Sequence, residues 1–122
     1  MKIRCTSGHL RFRLGRADVE QLSDHQHVRE TISIAPGQRL AFELAAVPVE
    51  GIRASFQDNA VRIDIPYAQA RHWIDTGEVG IEAQYALGNG EPLNILIEKD
   101  FPCRHQPQED KGDTFQELAE RE

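Results

Sequence analysis

The sequence predicts a mainly β domain with two short helices, built from a duplicated ββαββ unit that forms one barrel-like body with pseudo-two-fold symmetry. Three observations carry this. Residues 9–30 (HLRFRLGRADVEQLSDHQHVRE) lie over residues 60–81 (AVRIDIPYAQARHWIDTGEVGI) without a gap, at an offset of 51. Arg11 falls on Arg62, Ala17 on Ala68, Leu22 on Trp73, Asp24 on Asp75 and Val28 on Val79. Second, apolar residues alternate strictly with polar ones at Leu10, Phe12 and Leu14 and again at Val61, Ile63 and Ile65, the period of a half-buried strand. Third, 122 residues make one domain by length, and a half of about fifty would be marginal alone, so the two halves should share a core.

In the first repeat, residues 1–47, Ile3 and Cys5 alternate with charged neighbours and Ser7-Gly8 supplies a turn. The strand at Leu10, Phe12 and Leu14 is broken by Gly15. Residues 17–24 then suit a short helix that turns Val19 and Leu22 inward. A strand follows over 28–34, Pro36-Gly37 turns it, and Leu40, Phe42 and Leu44 form the fourth. The second repeat, residues 51–100, goes through the same steps: a strand at 52–56, a turn at Asp58-Asn59, and the strand of Val61, Ile63 and Ile65. Pro66 is expected at the first helical position, where its missing N–H costs nothing, and Gly77 is expected to end the helix. Ala70, Trp73 and Ile74 form its apolar stripe. Val79, Ile81, Ala83 and Tyr85 alternate, Gly88-Asn89-Gly90 turns, and Leu93, Ile95 and Ile97 close the repeat. The domain is thus expected over 1–103. Residues 104–122, rich in Gln, Asp and Glu, read as an acidic, mobile tail in which Phe115 and Leu118 would seat one turn of helix.

Charge and composition narrow the function. The net charge is −6, with seven basic and five acidic residues over 1–47 (+2) and four basic against eight acidic over 98–122 (−4). An acidic chain disfavours nucleic-acid binding, whose electrostatic footprint is a basic patch, although the first half keeps that reading open. No window approaches a membrane span and the charged start lacks the apolar run of a signal peptide, so a cytoplasmic protein without membrane contact is expected. Two cysteines, Cys5 and Cys103, are read as reduced structural thiols.

The stretch 52–100, with its Asp58-Asn59 turn, "VRIDIP", short helix, Gly77, "EVGIEAQY" and "LNILIEKD", resembles the swapped-hairpin domain of AbrB-type transition-state regulators. The resemblance implies hairpins interleaved into one barrel, with the tandem copy standing in for a second chain, and it implies DNA binding. The family's arginine before the helix falls on Arg62, and on Arg11 in the first repeat. One of its helix arginines falls on Arg71 and the other on Ala70, while its basic pair on the first strand falls on Ser55 and Phe56. The whole chain also resembles a group of small uncharacterised bacterial proteins that share a "KIR" start, here Lys2-Ile3-Arg4, and an "EKDF-x-C" ending, here residues 98–103.

Four candidate sites emerge. Arg11, Arg13 and Arg16, with Lys2 and Arg4, put up to five cations on or beside one hairpin, an anion-binding face unless acids such as Asp64 or the tail meet them. Arg11, Arg13, Arg62 and Arg71 are the candidates for an anion or nucleic acid. Cys5, His9, Cys103 and His105 would make a four-ligand set suited to Zn²⁺, although C-x₃-H and C-x-H are not the spacings of structural zinc modules. A Cys103–His105 nucleophilic pair has Asp100 to orient it, but nothing marks an oxyanion site. His25 and His27 read as polar loop residues. No catalytic signature stands out. The expectation is therefore a non-enzymatic binding or protein-interaction module, monomeric or dimeric, without a cofactor; the alternatives are a swapped-hairpin DNA-binding regulator and a metal or thiol site.

Overall fold

The computed structural model describes residues 1–100. Strands β1 (Lys2–Thr6) and β2 (His9–Leu14) lead into helix α1 (Arg16–His25), then β3 (His27–Ala35) and β4 (Gln38–Val47). The order repeats with β5 (Arg53–Gln57), β6 (Ala60–Pro66), α2 (Tyr67–Asp75), β7 (Gly80–Ala86) and β8 (Pro92–Lys99). The protein is therefore mainly β with two short helices, in two runs of ββαββ. The expected domain end at 103 and the tail over 104–122 lie outside the described residues.

The strands form two four-stranded sheets and no closed barrel, which corrects the barrel-like expectation. One sheet, here sheet A, has the order β1-β2-β8-β7; the other, sheet B, runs β3-β4-β6-β5. Each sheet ends on two edge strands, β1 and β7 in one order and β3 and β5 in the other. Of these, β1 and β5 are five residues each and mostly exposed, and short edges resist further pairing. Each sheet joins one hairpin from each half, through the parallel pairs β2/β8 and β4/β6. Replacing every strand of one half by its counterpart in the other turns the order of sheet A into that of sheet B.

Register refines the sequence alignment. Lys2 pairs with Arg13 and Arg53 with Asp64, which keeps the offset at 51 through the first hairpins. From β3 onward the offset becomes 53: Val28 pairs with Leu44 as Ile81 pairs with Ile97. Val28 is thus matched by Ile81, and Val79 is exposed outside any strand. The two extra residues fall between helix and strand. A single left-handed Gln26 (φ 60) joins α1 to β3, whereas 76–79 join α2 to β7. Two backbone bonds show the new register directly, Gln26 O accepting from Ala46 N at 2.9 Å and Val79 O from Lys99 N at 3.0 Å. Pro66 ends β6 with ψ 131 and so sits one residue before the helix instead of inside it, and Thr76, not Gly77, caps the other end.

One core results. Phe12, Leu14, Leu22, Val28, Phe42 and Leu44 from the first half meet Ile63, Ile65, Trp73, Ile81, Ile95 and Ile97 from the second, all buried. Phe12 of sheet A stacks edge-on against Phe42 of sheet B at 6.4 Å between ring centres, fixing the sheets face to face. Trp73 is fully buried, as expected of core, yet its indole N–H must be satisfied; it donates to Val79 O at 3.0 Å, with Lys99 over the ring. With Phe12, Leu14, Ile95 and Ile97 turned inward, the residues between them, Arg11, Arg13, Leu96 and Glu98, face outward.

Candidate functional site

The outward residues of sheet A line up across all four strands. One row is Arg4, Arg11, Leu96 and Glu82, on β1, β2, β8 and β7 in that order. A second row, two residues further along each strand, is Thr6, His9, Asn94 and Gln84. Between the rows an open cavity of about 880 Å³ runs across the strands. That is room for a small ligand or an extended chain segment. Polar side chains of both rows line it together with Leu10, Ala83 and Ile95, and the half-buried Leu96 stands within its first row.

At the helix end of this face Glu98 accepts from Arg11 Nε at 2.7 Å and from Arg13 Nε at 2.9 Å. Burial works to raise the Glu98 pKa, but the hydrogen bonds from Arg13 and Arg11 outweigh it and hold the carboxyl below its usual range. Lys2 pairs with Asp100 at 3.0 Å. Further along, Gln84 donates to Asn94 Oδ1 at 3.1 Å while Asn94 donates to Gly8 O at 3.2 Å, stiffening the second wall. Among the described residues Arg4, His9 and Glu82 form no ion pair and are exposed.

The matching row of sheet B is Ser55, Arg62, Glu43 and Arg29. Glu43 stands where sheet A has Leu96 and is buried, 8% exposed. It contacts Arg62 at 3.1 Å, Arg29 at 3.3 Å and His27 Nε2 at 3.0 Å. Arg62 also donates to Asp64 at 2.7 Å, and that bond, more than the nearby Glu43, raises its pKa further above the usual arginine value despite partial burial. Arg53 reaches the same Asp64 at 3.2 Å. This face closes on itself.

The anion-site residues therefore do not converge. Arg11 and Arg13 share sheet A, Arg62 lies on sheet B, and Arg71 on α2 makes a two-pronged pair with Asp75, at 2.7 and 3.1 Å, and donates to Ser23. The Arg11–Arg13 charges are met by Glu98, while Asp64, expected to meet them, serves Arg53 and Arg62 instead. The zinc set is not assembled either. Cys5 pairs in register with Leu10, and His9 with Thr6, so Cys5 and His9 project from opposite faces of their hairpin. Cys103 and His105, and with them the nucleophilic pair, lie outside the described residues. Within those residues no three of His, Cys, Asp and Glu come together. His27 is not a loop residue; it opens β3 on Glu43.

Of the four residues in the groove's first row, Leu96 and Glu82 have no place among the sequence candidates, and in the second row only His9 has one. The signal for Leu96 was present: in Ile95-Leu96-Ile97 the middle residue breaks the alternation of β8 and puts an apolar side chain on an outward position. For Glu82 nothing local distinguishes it from a solvated strand acid.

Over residues 1–118 the sequence matches DUF7009, a family of unknown function. The chain belongs to that family. This agrees with the expected membership of an uncharacterised group. No curated protein and no solved structure matches the chain. No helix among the described residues is long and apolar enough to cross a membrane.

Proposed function

We propose that this chain is a non-enzymatic, cytoplasmic binding protein that takes a protein partner on the outer face of sheet A. One observation carries the reading. At equivalent places in the two sheets, Glu43 neutralises one face from its centre, whereas Leu96 leaves the other with a groove, an apolar centre and, in Arg4 and Glu82, charges that have no ion pair among the described residues. Apolar centre with polar rim is the anatomy of an interaction site. A photo-crosslinking side chain at Thr6, in the groove, should give a discrete protein adduct in cells, and the same group at Ser55, on sheet B, should not. Loss of the Thr6 adduct on adding Leu96→Glu would tie it to the groove; equal adducts at both positions would sink the reading.

A second reading has one observation in its favour. The joining of hairpins from opposite halves in each sheet, with a matched strand order, is what an internal duplication of an AbrB-like swapped-hairpin unit would produce. DNA binding in that manner would use Arg11, Arg62 and Arg71, each already held by a carboxylate and set on three different surfaces. Duplex binding that falls steeply with salt and is lost in Arg62→Ala, with Arg4→Ala unaffected, would favour it over the groove.

A further inference from the structure

The groove has a polarity that a general binding surface does not need. Arg4 and Arg11 stand at one end of its first row and Glu82 at the other, with Leu96 between. Three interstrand spacings separate Arg4 from Glu82, about 14 Å. An extended peptide presents residues i, i+2 and i+4 on one side over about 13 Å. Resting on the binding reading above, we propose that the groove takes an extended peptide segment carrying an acid, an apolar residue and a base at alternate positions. The segment lies across the strands, with its acid at Arg4 and Arg11, its apolar side chain on Leu96 and its base at Glu82.

Charge complementarity selects this occupant over a plain anion. Arg11 already spends its Nε and one terminal nitrogen on Glu98, at 2.7 and 2.6 Å, so the anionic end relies on Arg4, which has no ion pair within the described residues. A second acid at the far end would meet Glu82, and like charges facing each other are unfavourable. The amides of Asn94 and Gln84 are fixed by their own hydrogen bonds and leave room to pair with a peptide backbone.

The test uses the isotope-labelled full chain and three peptides: acetyl-Asp-Ser-Leu-Ser-Lys-amide, the same with Ser for Leu, and the same with Asp for Lys. The first should shift the amides of Arg4, Leu96 and Glu82, and the other two should bind at least tenfold more weakly. Glu82→Lys should weaken the dipolar peptide at least tenfold and strengthen the doubly acidic one; a protein that had merely misfolded would bind neither. If the wild type holds the doubly acidic peptide as tightly as the dipolar one, the groove is an anion site and the proposal fails. Shifts at the same amides on raising protein concentration alone would assign the groove to a second copy and also overturn it. No groove shift with any peptide, while the Thr6 adduct persists, would refute the peptide chemistry and leave the binding reading standing.

Discussion

The two outer sheet faces are built on matching strands, and they differ by where a carboxylate sits. In sheet B the row reads Ser55, Arg62, Glu43, Arg29, with the acid between two bases. In sheet A it reads Arg4, Arg11, Leu96, Glu82, with the acid at the far edge and a leucine in the middle. A central acid lets long arginines fold over it and close the face. An edge acid leaves the ends of the row charged and the centre apolar. The lesson is that one scaffold yields a self-neutralised face or an open one according to where the carboxylate sits, over core positions that correspond one to one although their residues differ.

That shared core sets the largest expected effects. Trp73→Ala removes the biggest fully buried side chain and should cost about 3–5 kcal/mol, and Leu22→Ala, at the matching position, about 2–5 kcal/mol. If the halves fold on one core, urea unfolding of each variant remains a single transition seen alike by tryptophan-independent circular dichroism and by amide exchange in both sheets. Separate transitions for sheets A and B would break the comparison at its base.

Next in size is Glu43→Leu, which gives sheet B the residue of sheet A. Three cationic or protonatable side chains lose their acceptor, and only Arg62 retains a second one, Asp64. Because those partners are each nearly half exposed, the loss is smaller than for a fully buried pair, about 1–3 kcal/mol. Stability by denaturant midpoint checks it; a cost below that of a typical surface substitution would show that the closed face owes nothing to its acid.

Glu98 gives the corresponding test on sheet A. Its folded pKa lies below the unfolded value, so the arginine cluster stabilises fully above the usual glutamate range, about pH 4.3, and loses that contribution as pH falls through the folded value. Glu98→Gln should cost about 1 kcal/mol at neutral pH. The cost should vanish under acid conditions, flattening this part of the acid limb. Asp75 is likewise held below its usual range, by its hydrogen bond to Arg71, so Asp75→Asn is the control that assigns the change to Glu98.

How far the sequence shows all this depends on range. Strands with strict alternation, such as Leu10-Phe12-Leu14 and Val61-Ile63-Ile65, are legible because a local period decides which side is buried. The gap of two residues before Gly80 is not, since Val28 and Val79 match by type and only cross-strand register shows that Ile81 is the true counterpart. Closure is also hidden: nothing local distinguishes two sheets from a barrel. The site is half legible. Arg4 and Arg11 stand out as hairpin cations, but their neighbours Leu96 and Glu82 come from the far end of the chain through the parallel β2/β8 pair, a contact without a sequence signature.

The smallest expected effect on stability is the reverse swap, Leu96→Glu, and its smallness makes it informative. Leu96 is half-buried, so replacing it forfeits part of a leucine's transfer free energy, about 0.5–1 kcal/mol. The new carboxylate would stand beside Arg11 in register, with Arg4 one strand beyond, and exposed pairs of that kind return about 0.2–1 kcal/mol. The same carboxylate would also face Glu82 in register, a like-charge contact that takes back part of that return, so the terms largely cancel and stability should fall by no more than about 1 kcal/mol. Function should not cancel. With an acid at its centre sheet A acquires the central carboxylate of sheet B, although Glu82 still stands where sheet B has Arg29, and the dipolar peptide should lose its apolar contact and compete with a resident carboxylate for Arg4. Unchanged stability with lost peptide binding separates the role of Leu96 in recognition from its role in folding; unchanged stability with unchanged binding would mean that the position of the carboxylate does not decide what either face does.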